Sequence, residues 1–179
     1  MAWRNGPESF GLVTRILHWT MALMVAVMIG LGKRIEAMEP GLSNLWLYSL
    51  HKSLGLVVLA LVVARLVWHR ISPPPRPVGG GWQALAARIV HAAIYLLLLA
   101  IPLSGWIASS ATGLDILFLD RWVVPAIAPV STAIEYAGFE AHEVMANLLL
   151  LLLLLHIGAA FKREVDGDGT LKRMVLGRR

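Results

Sequence analysis

The sequence predicts an all-α integral membrane protein: one domain over residues 1–179, built as a four-helix bundle with both termini in the cytoplasm. Three observations predict it. Of 179 residues, 58% are hydrophobic and only 15% are charged, whereas soluble domains run at about 45–50% apolar. Four apolar stretches, at about 14–32, 48–71, 85–111 and 139–161, each approach or exceed the roughly 20 residues needed to cross a bilayer. The basic residues fall unequally on the two sides of that layout.

The segment Met1 to Ser9 is polar, so the first apolar run reads as a span of the bundle and not as a cleavable signal. A short loop with Lys33, Arg34, Glu36 and Glu39 leads to span two. Ser72-Pro-Pro-Pro-Arg-Pro77 and Gly79-Gly-Gly81 break the chain before span three, because proline and glycine runs cannot continue a helix. Span three contains Pro102, a kink tolerated in membrane helices. The longest loop runs from Thr112 to Gly138, carries Pro125 and Pro129, and reads as a place for a short amphipathic helix on the membrane surface. Span four includes eight consecutive leucines, and the tail from Lys162 is polar.

Four spans put both termini on one side. That side holds Arg4, Arg15, Arg70, Arg76, Arg88, Lys162, Arg163, Lys172, Arg173, Arg178 and Arg179. The other holds Lys33, Arg34, Lys52 and Arg121. Positive charge is retained in the cytoplasm, which sets the expected orientation. The net charge of +5 is therefore a topology and lipid signal, not a nucleic-acid footprint, since the cations lie at span ends and form no patch. Trp19, Trp46, Trp68, Trp82 and Trp122 lie near span ends, where an interfacial belt is expected. Cysteine is absent, which removes disulfides, thiolate zinc sites, cysteine-held clusters and covalent c-type haem.

Ionisable residues inside a membrane are costly and so mark function. His142 and His156 lie fourteen residues apart in span four. That is about 21 Å and almost four turns, so both imidazoles share one face, one near each end of the span. His51, at the outer end of span two, matches the depth of His142. His18, at the inner end of span one, matches His156. Two depth-matched pairs on facing helices suit two stacked bis-histidine haems. Zinc or copper instead needs three or four ligands at one point. A haem with both axial positions filled has one-electron transfer as its natural task. A lone membrane histidine can also simply bond a neighbouring helix.

His91, near the inner start of span three, could replace His18 or His156, bond a haem propionate or relay a proton. His69 reads as interfacial. Arg65 lies fourteen residues after His51 and so faces the same way one leaflet deeper. It needs an anionic partner such as a propionate, or must snorkel to the surface. Lys52 could serve the outer haem in the same way. Gly55, Gly105, Ala146 and Gly158 leave room for a porphyrin or for close helix contact.

Taken in order, His18-Trp19, His51-Lys-Ser-Leu-Gly55, Ala64-Arg65-Leu66, His91-Ala-Ala-Ile-Tyr95, Pro102-Leu-Ser-Gly-Trp106, His142-Glu-Val-Met-Ala-Asn147 with His156, and Asp168-Gly-Thr-Leu-Lys-Arg173 resemble the bacterial cytochrome b561 family. These are small four-helix, di-haem cytochromes of the inner membrane, and the resemblance spans about Arg15 to Leu176. It implies two b-type haems, ligated by His18 with His156 and by His51 with His142. It also implies exchange with the quinone pool. The family includes a superoxide oxidase that passes electrons from superoxide at the outer face to ubiquinone, and related subunits that serve a separate dehydrogenase or periplasmic redox partner. One departure stands out: where relatives often carry two histidines after span four, this chain reads Lys162-Arg163-Glu164. Lys33, Arg34, Lys52 and Arg121 could steer superoxide, although Glu36, Glu39, Asp115, Asp120, Glu135 and Glu140 share the outer loops. A reading from another class is a non-redox transporter or assembly factor.

Overall fold

Four long helices carry the computed structural model, which describes residues 2–39, 41–76 and 80–177. They are α1 (Leu12–Glu36), α2 (Leu45–Ile71), α3 (Gly81–Ala111) and α4 (Thr132–Val165). A two-stranded hairpin, β1 (Ile116–Phe118) and β2 (Trp122–Val124), joins α3 to α4, and a short α5 (Thr170–Leu176) closes the chain. All four long helices are long and apolar enough to cross a membrane, with windows of mean hydropathy between 1.8 and 2.3. Each is longer than the apolar stretch that predicts it. Lys33, Arg34 and Glu36 form the last turn of α1 instead of a loop. Pro77, Gly79, Arg178 and Arg179 lie outside the described residues.

Ala108, Ala111 and Ile116 are buried near the hairpin, and the main apolar cluster joins Met21 and Val25 of α1, Val58 and Val62 of α2, Leu97 and Leu98 of α3, and Leu149 of α4. Its place along the helices follows from the numbering. Val25 comes seven residues after His18, Val58 seven after His51, and Leu149 seven from both His142 and His156. Seven residues are about two turns. The centre of this cluster therefore lies midway between two histidine levels. The outside is inverted relative to a water-soluble protein. Leu23, Val27, Val63, Val67, Leu96, Val144, Leu151, Leu154 and Leu155 are exposed along the helix shafts. So continuous an apolar surface requires lipid around it.

The helices approach through small residues. A Cβ added at Gly138 would lie 2.8 Å from the Ala108 Cβ, so α3 and α4 touch nearly backbone to backbone. Ser131 caps α4 by accepting from the Ile134 N–H. At the same end, the hairpin replaces the expected amphipathic helix. Leu119 and Asp120 have φ of 52° and 56°, and the Arg121 N–H closes the turn on the Phe118 carbonyl at 3.2 Å. Two successive left-handed residues reverse the chain as a type I′ turn does, so a helical register cannot run through them. Prolines at 125 and 129 bar one from starting immediately after.

At the opposite end the N-terminal segment, the end of α2 and α5 come together. The Asn5 amide N–H donates to the Ser72 hydroxyl at 2.9 Å and its side-chain amide to the Ser72 carbonyl at 2.8 Å. The bundle thus has a hairpin end and a terminal end, and the two histidine levels lie toward one and the other.

Candidate functional site: two histidine pairs in the bundle

At the hairpin end, His51 of α2 and His142 of α4 have ring centroids 6.0 Å apart and planes inclined at 68°. A cavity of about 510 Å³ surrounds them, lined by Val25, Met28, Gly55, Leu98 and Ala146 among others. Two glycines keep the rings clear. A Cβ at Gly105 would lie 3.1 Å from the His142 ring, and one at Gly32 would lie 3.5 Å from His51. His142 Nδ1 is 2.8 Å from the Ile101 carbonyl. A carbonyl only accepts, so Nδ1 carries the proton and Nε2 presents a lone pair. This is the tautomer that a metal-ligating histidine uses, with its second nitrogen held by a carbonyl. The Ser104 hydroxyl, 3.3 Å from the same Nδ1, donates to the same carbonyl at 2.8 Å.

The hairpin is pinned over this level. The Leu119 N–H donates to the Ser53 hydroxyl at 2.9 Å, and the Ser49 hydroxyl donates to the Asp120 carboxylate. Ser49 and Ser53 flank His51 on α2, and Ile116 of the hairpin lines the cavity. The Trp106 indole N–H holds the loop that follows through the Pro125 carbonyl at 3.0 Å.

At the terminal end, His18 of α1 and His156 of α4 have centroids 6.5 Å apart. His91 of α3 packs at 5.1 Å against His156. Arg65 does not reach toward the surface. Its Nη2 donates to His18 Nδ1 at 3.0 Å, and its guanidinium carbon lies 5.7 Å from the centre of the Tyr95 ring. Its Nε is buried without a hydrogen-bond partner among the described residues, as is Nδ1 of His51. His69, expected at the interface, packs edge-on to Tyr95 at 5.9 Å. Tyr95 is the residue whose place sequence reading did not assign. The signal was its position four after His91, which puts both on one face of α3.

The pairs can be tested against a bis-imidazole iron. A metal held between two imidazoles by bonds of about 2.0–2.1 Å would put their ring centroids about 6.3 Å apart. The observed 6.0 and 6.5 Å bracket that value. His91 and His156, at 5.1 Å, are about 1 Å too close to hold a metal between them on the same bond lengths. The hairpin-end pair also has a largely apolar cavity of about 510 Å³ and a His142 tautomer that leaves Nε2 free to ligate. At the terminal end, His18 Nδ1 is an acceptor from Arg65, so ligation through Nε2 requires that one hydrogen bond to be exchanged. Arg65, with its Nε already without a partner, is the side chain placed to take a carboxylate instead.

Lys52 and Lys33 both line the cavity. Lys33 is joined to Glu36 at 2.7 Å. Lys52 makes no ion pair among the described residues.

Comparison with known proteins adds the family. Residues 9–177 match the model of the prokaryotic cytochrome b561 family. The chain is 35% identical over 182 residues to cytochrome b561 homolog 2 of Escherichia coli K12, covering 98% of this chain and 95% of that protein. It is 32% identical over 168 residues to cytochrome b561 homolog 1 of the same organism, covering 91% and 94%. It is 25% identical over 177 residues to a probable superoxide oxidase, CybB, of Yersinia pestis, covering 91% and 93%. With a match running nearly end to end on a bundle of four membrane-spanning helices, the chain belongs to the prokaryotic cytochrome b561 family, and with it to the b-type haem proteins of the membrane.

Proposed function

We propose that this protein is a di-haem electron-transfer protein of the bacterial inner membrane that exchanges electrons with the quinone pool, and that its activity is superoxide:ubiquinone oxidoreduction. His51 and His142 would hold one haem, and His18 and His156 the other. The observation that carries this reading is the pair of imidazole separations, 6.0 and 6.5 Å. Each leaves room for a metal held by both rings, and the pairs recur about 21 Å apart along α4. Bound there, haem would supply one-electron redox chemistry.

The chain's own residues supply the rest. Ile101 and Gly105 orient His142. Arg65 takes a carboxylate at the terminal level, with His91 beside His156. Lys52 is the cation left facing the hairpin-end cavity, while Glu36 neutralises Lys33. The overall reaction balances as two superoxide anions giving up one electron each to become dioxygen, and ubiquinone taking two electrons and two protons to become ubiquinol. Similarity to a protein named as a probable superoxide oxidase supports superoxide as the donor.

The experiment is to purify the protein in detergent, count haem by pyridine haemochrome and follow superoxide-dependent reduction of ubiquinone. Two low-spin b haems per chain and a rate above the spontaneous one are expected. One haem would leave a single pair standing. Two haems without superoxide-dependent ubiquinone reduction would sink the oxidoreductase reading and leave a carrier for another donor.

A further inference from the structure

Helix α5 is seven residues long, too short to be stable alone. It holds its shape because three parts of the bundle grip it. Its first turn is capped from α4 and the turn after it. Glu164 accepts from the Leu171 and Lys172 N–H groups at 3.0 and 3.3 Å, and Asp168 accepts from the Thr170 N–H at 2.8 Å. Its middle is anchored by Arg173, only 4% exposed. Arg173 donates to the Glu8 carbonyl at 2.9 Å and to the Arg76 carbonyl at 3.4 Å, and lies 5.4 Å over the Phe10 ring. Its last carbonyls are taken by α1: Arg15 donates to Val175, and the Trp19 indole N–H donates to Met174 at 3.2 Å.

Trp19 then makes a second contact. Its ring stands edge-on to His18, with centroids 5.3 Å apart and planes at 84°. At 46% exposure the indole is not held by burial. The bond to α5 is the specific contact that fixes where it lies. His18 is gripped by Trp19 on one side and by Arg65 on another.

We propose that Trp19 is a positioning residue for His18, and that docking of α5 sets the orientation of that imidazole through it. The proposal rests on the ligand assignment above. It makes the C-terminal helix a control element for the terminal-end haem: whatever loosens α5 turns His18 and admits water near it. Water favours the more positively charged oxidised iron, and solvent exposure is one of the protein's levers on haem potential.

The test compares the haem-loaded full chain with Trp19→Phe, which keeps a ring and removes the N–H, with Arg173→Ala, which releases α5 from its far side, and with the double variant. Low-spin electron paramagnetic resonance reports the axial imidazole planes, and a spectroelectrochemical titration reports each midpoint. Both single variants are expected to shift the largest g value and lower the midpoint of the haem that His18→Ala removes, leaving the other haem unmoved. The double variant is expected to shift no further than the larger single, because both cut one chain of contacts. An unmoved signature in Trp19→Phe, additive shifts, or equal shifts in both haems would overturn the proposal. If Arg173→Ala does not accumulate, Trp19→Phe alone decides. Retention of both haems by His18→Ala would instead overturn the ligand assignment itself.

Discussion

His142 presents Nε2 as a lone pair because a carbonyl on another helix takes the proton side of its ring. That carbonyl belongs to Ile101, one residue before Pro102 in α3. Gly105, one turn on, leaves room for the ring. Gly105→Ala would put a methyl 3.1 Å from the imidazole, closer than an ordinary carbon contact. The expected outcome is loss of the hairpin-end haem with the other retained, read from the haemochrome count; two intact haems would mean the ring yields. Arg65 contributes charge. Arg65→Ala should keep both haems and lower the midpoint of the terminal-end one, since a nearby positive charge disfavours the oxidised iron. An unchanged midpoint would mean that the guanidinium is neutralised once haem is bound. Lys52→Ala should slow superoxide-dependent reduction severalfold, with a weaker dependence on ionic strength. Lys33→Ala should do less, because Glu36 already pairs that charge.

The elements differ in what holds them. α3 and α4 meet where Gly138 lies on Ala108, so Gly138→Ala forces backbone apart; a loss of about 1–3 kcal/mol is expected from overpacking, measurable as a lower thermal midpoint in detergent. α5 is held by polar contacts, and Asp168 is one of them. Burial alone would raise its carboxyl pKa, but hydrogen bonds from Thr170 and Arg163 outweigh it and hold the group below its ordinary value. The contribution of the ionised carboxylate is therefore fully present above the ordinary carboxylate range and is lost as pH falls through the depressed value. Amide exchange in 170–176 should accelerate in acid below that range, and Asp168→Ala should bring the same acceleration to neutral pH, at a cost of about 1 kcal/mol as for other lost caps. Equal protection in the variant would show that Glu164 suffices.

For the whole molecule, the helix order leaves both termini at one end, and the basic residues gather there. Reporter fusions at the C-terminus and in the hairpin should place the first in the cytoplasm and the second outside; the reverse would invert which haem faces the periplasm. The two proposed haem levels lie about four turns apart on α4, so each haem is expected to be lost separately. His51→Ala and His142→Ala should lose the same haem, and His18→Ala and His156→Ala the other, with the bundle retained. A single substitution that removed both haems would mean that the two levels assemble as one unit.

Number of spans, termini at one end and the shared depth of the histidines were all legible in the sequence. Each depends on local quantities: the length of an apolar run, the rise of a helix and the 100° step that brings residues fourteen apart onto one face. The breaks at the proline and glycine runs were legible for the same reason. The hairpin was not, because its turn is made by Leu119 and Asp120, whose side chains do not announce a left-handed backbone. α5 was not, because seven residues have no helical stability until Arg15, Trp19 and Glu164 take their exposed backbone groups. Nor could periodicity decide among His18, His91 and His156, which share a level. The lateral distances among them, 6.5 Å for one pair and 5.1 Å for another, come only from the packing of α1, α3 and α4 against one another.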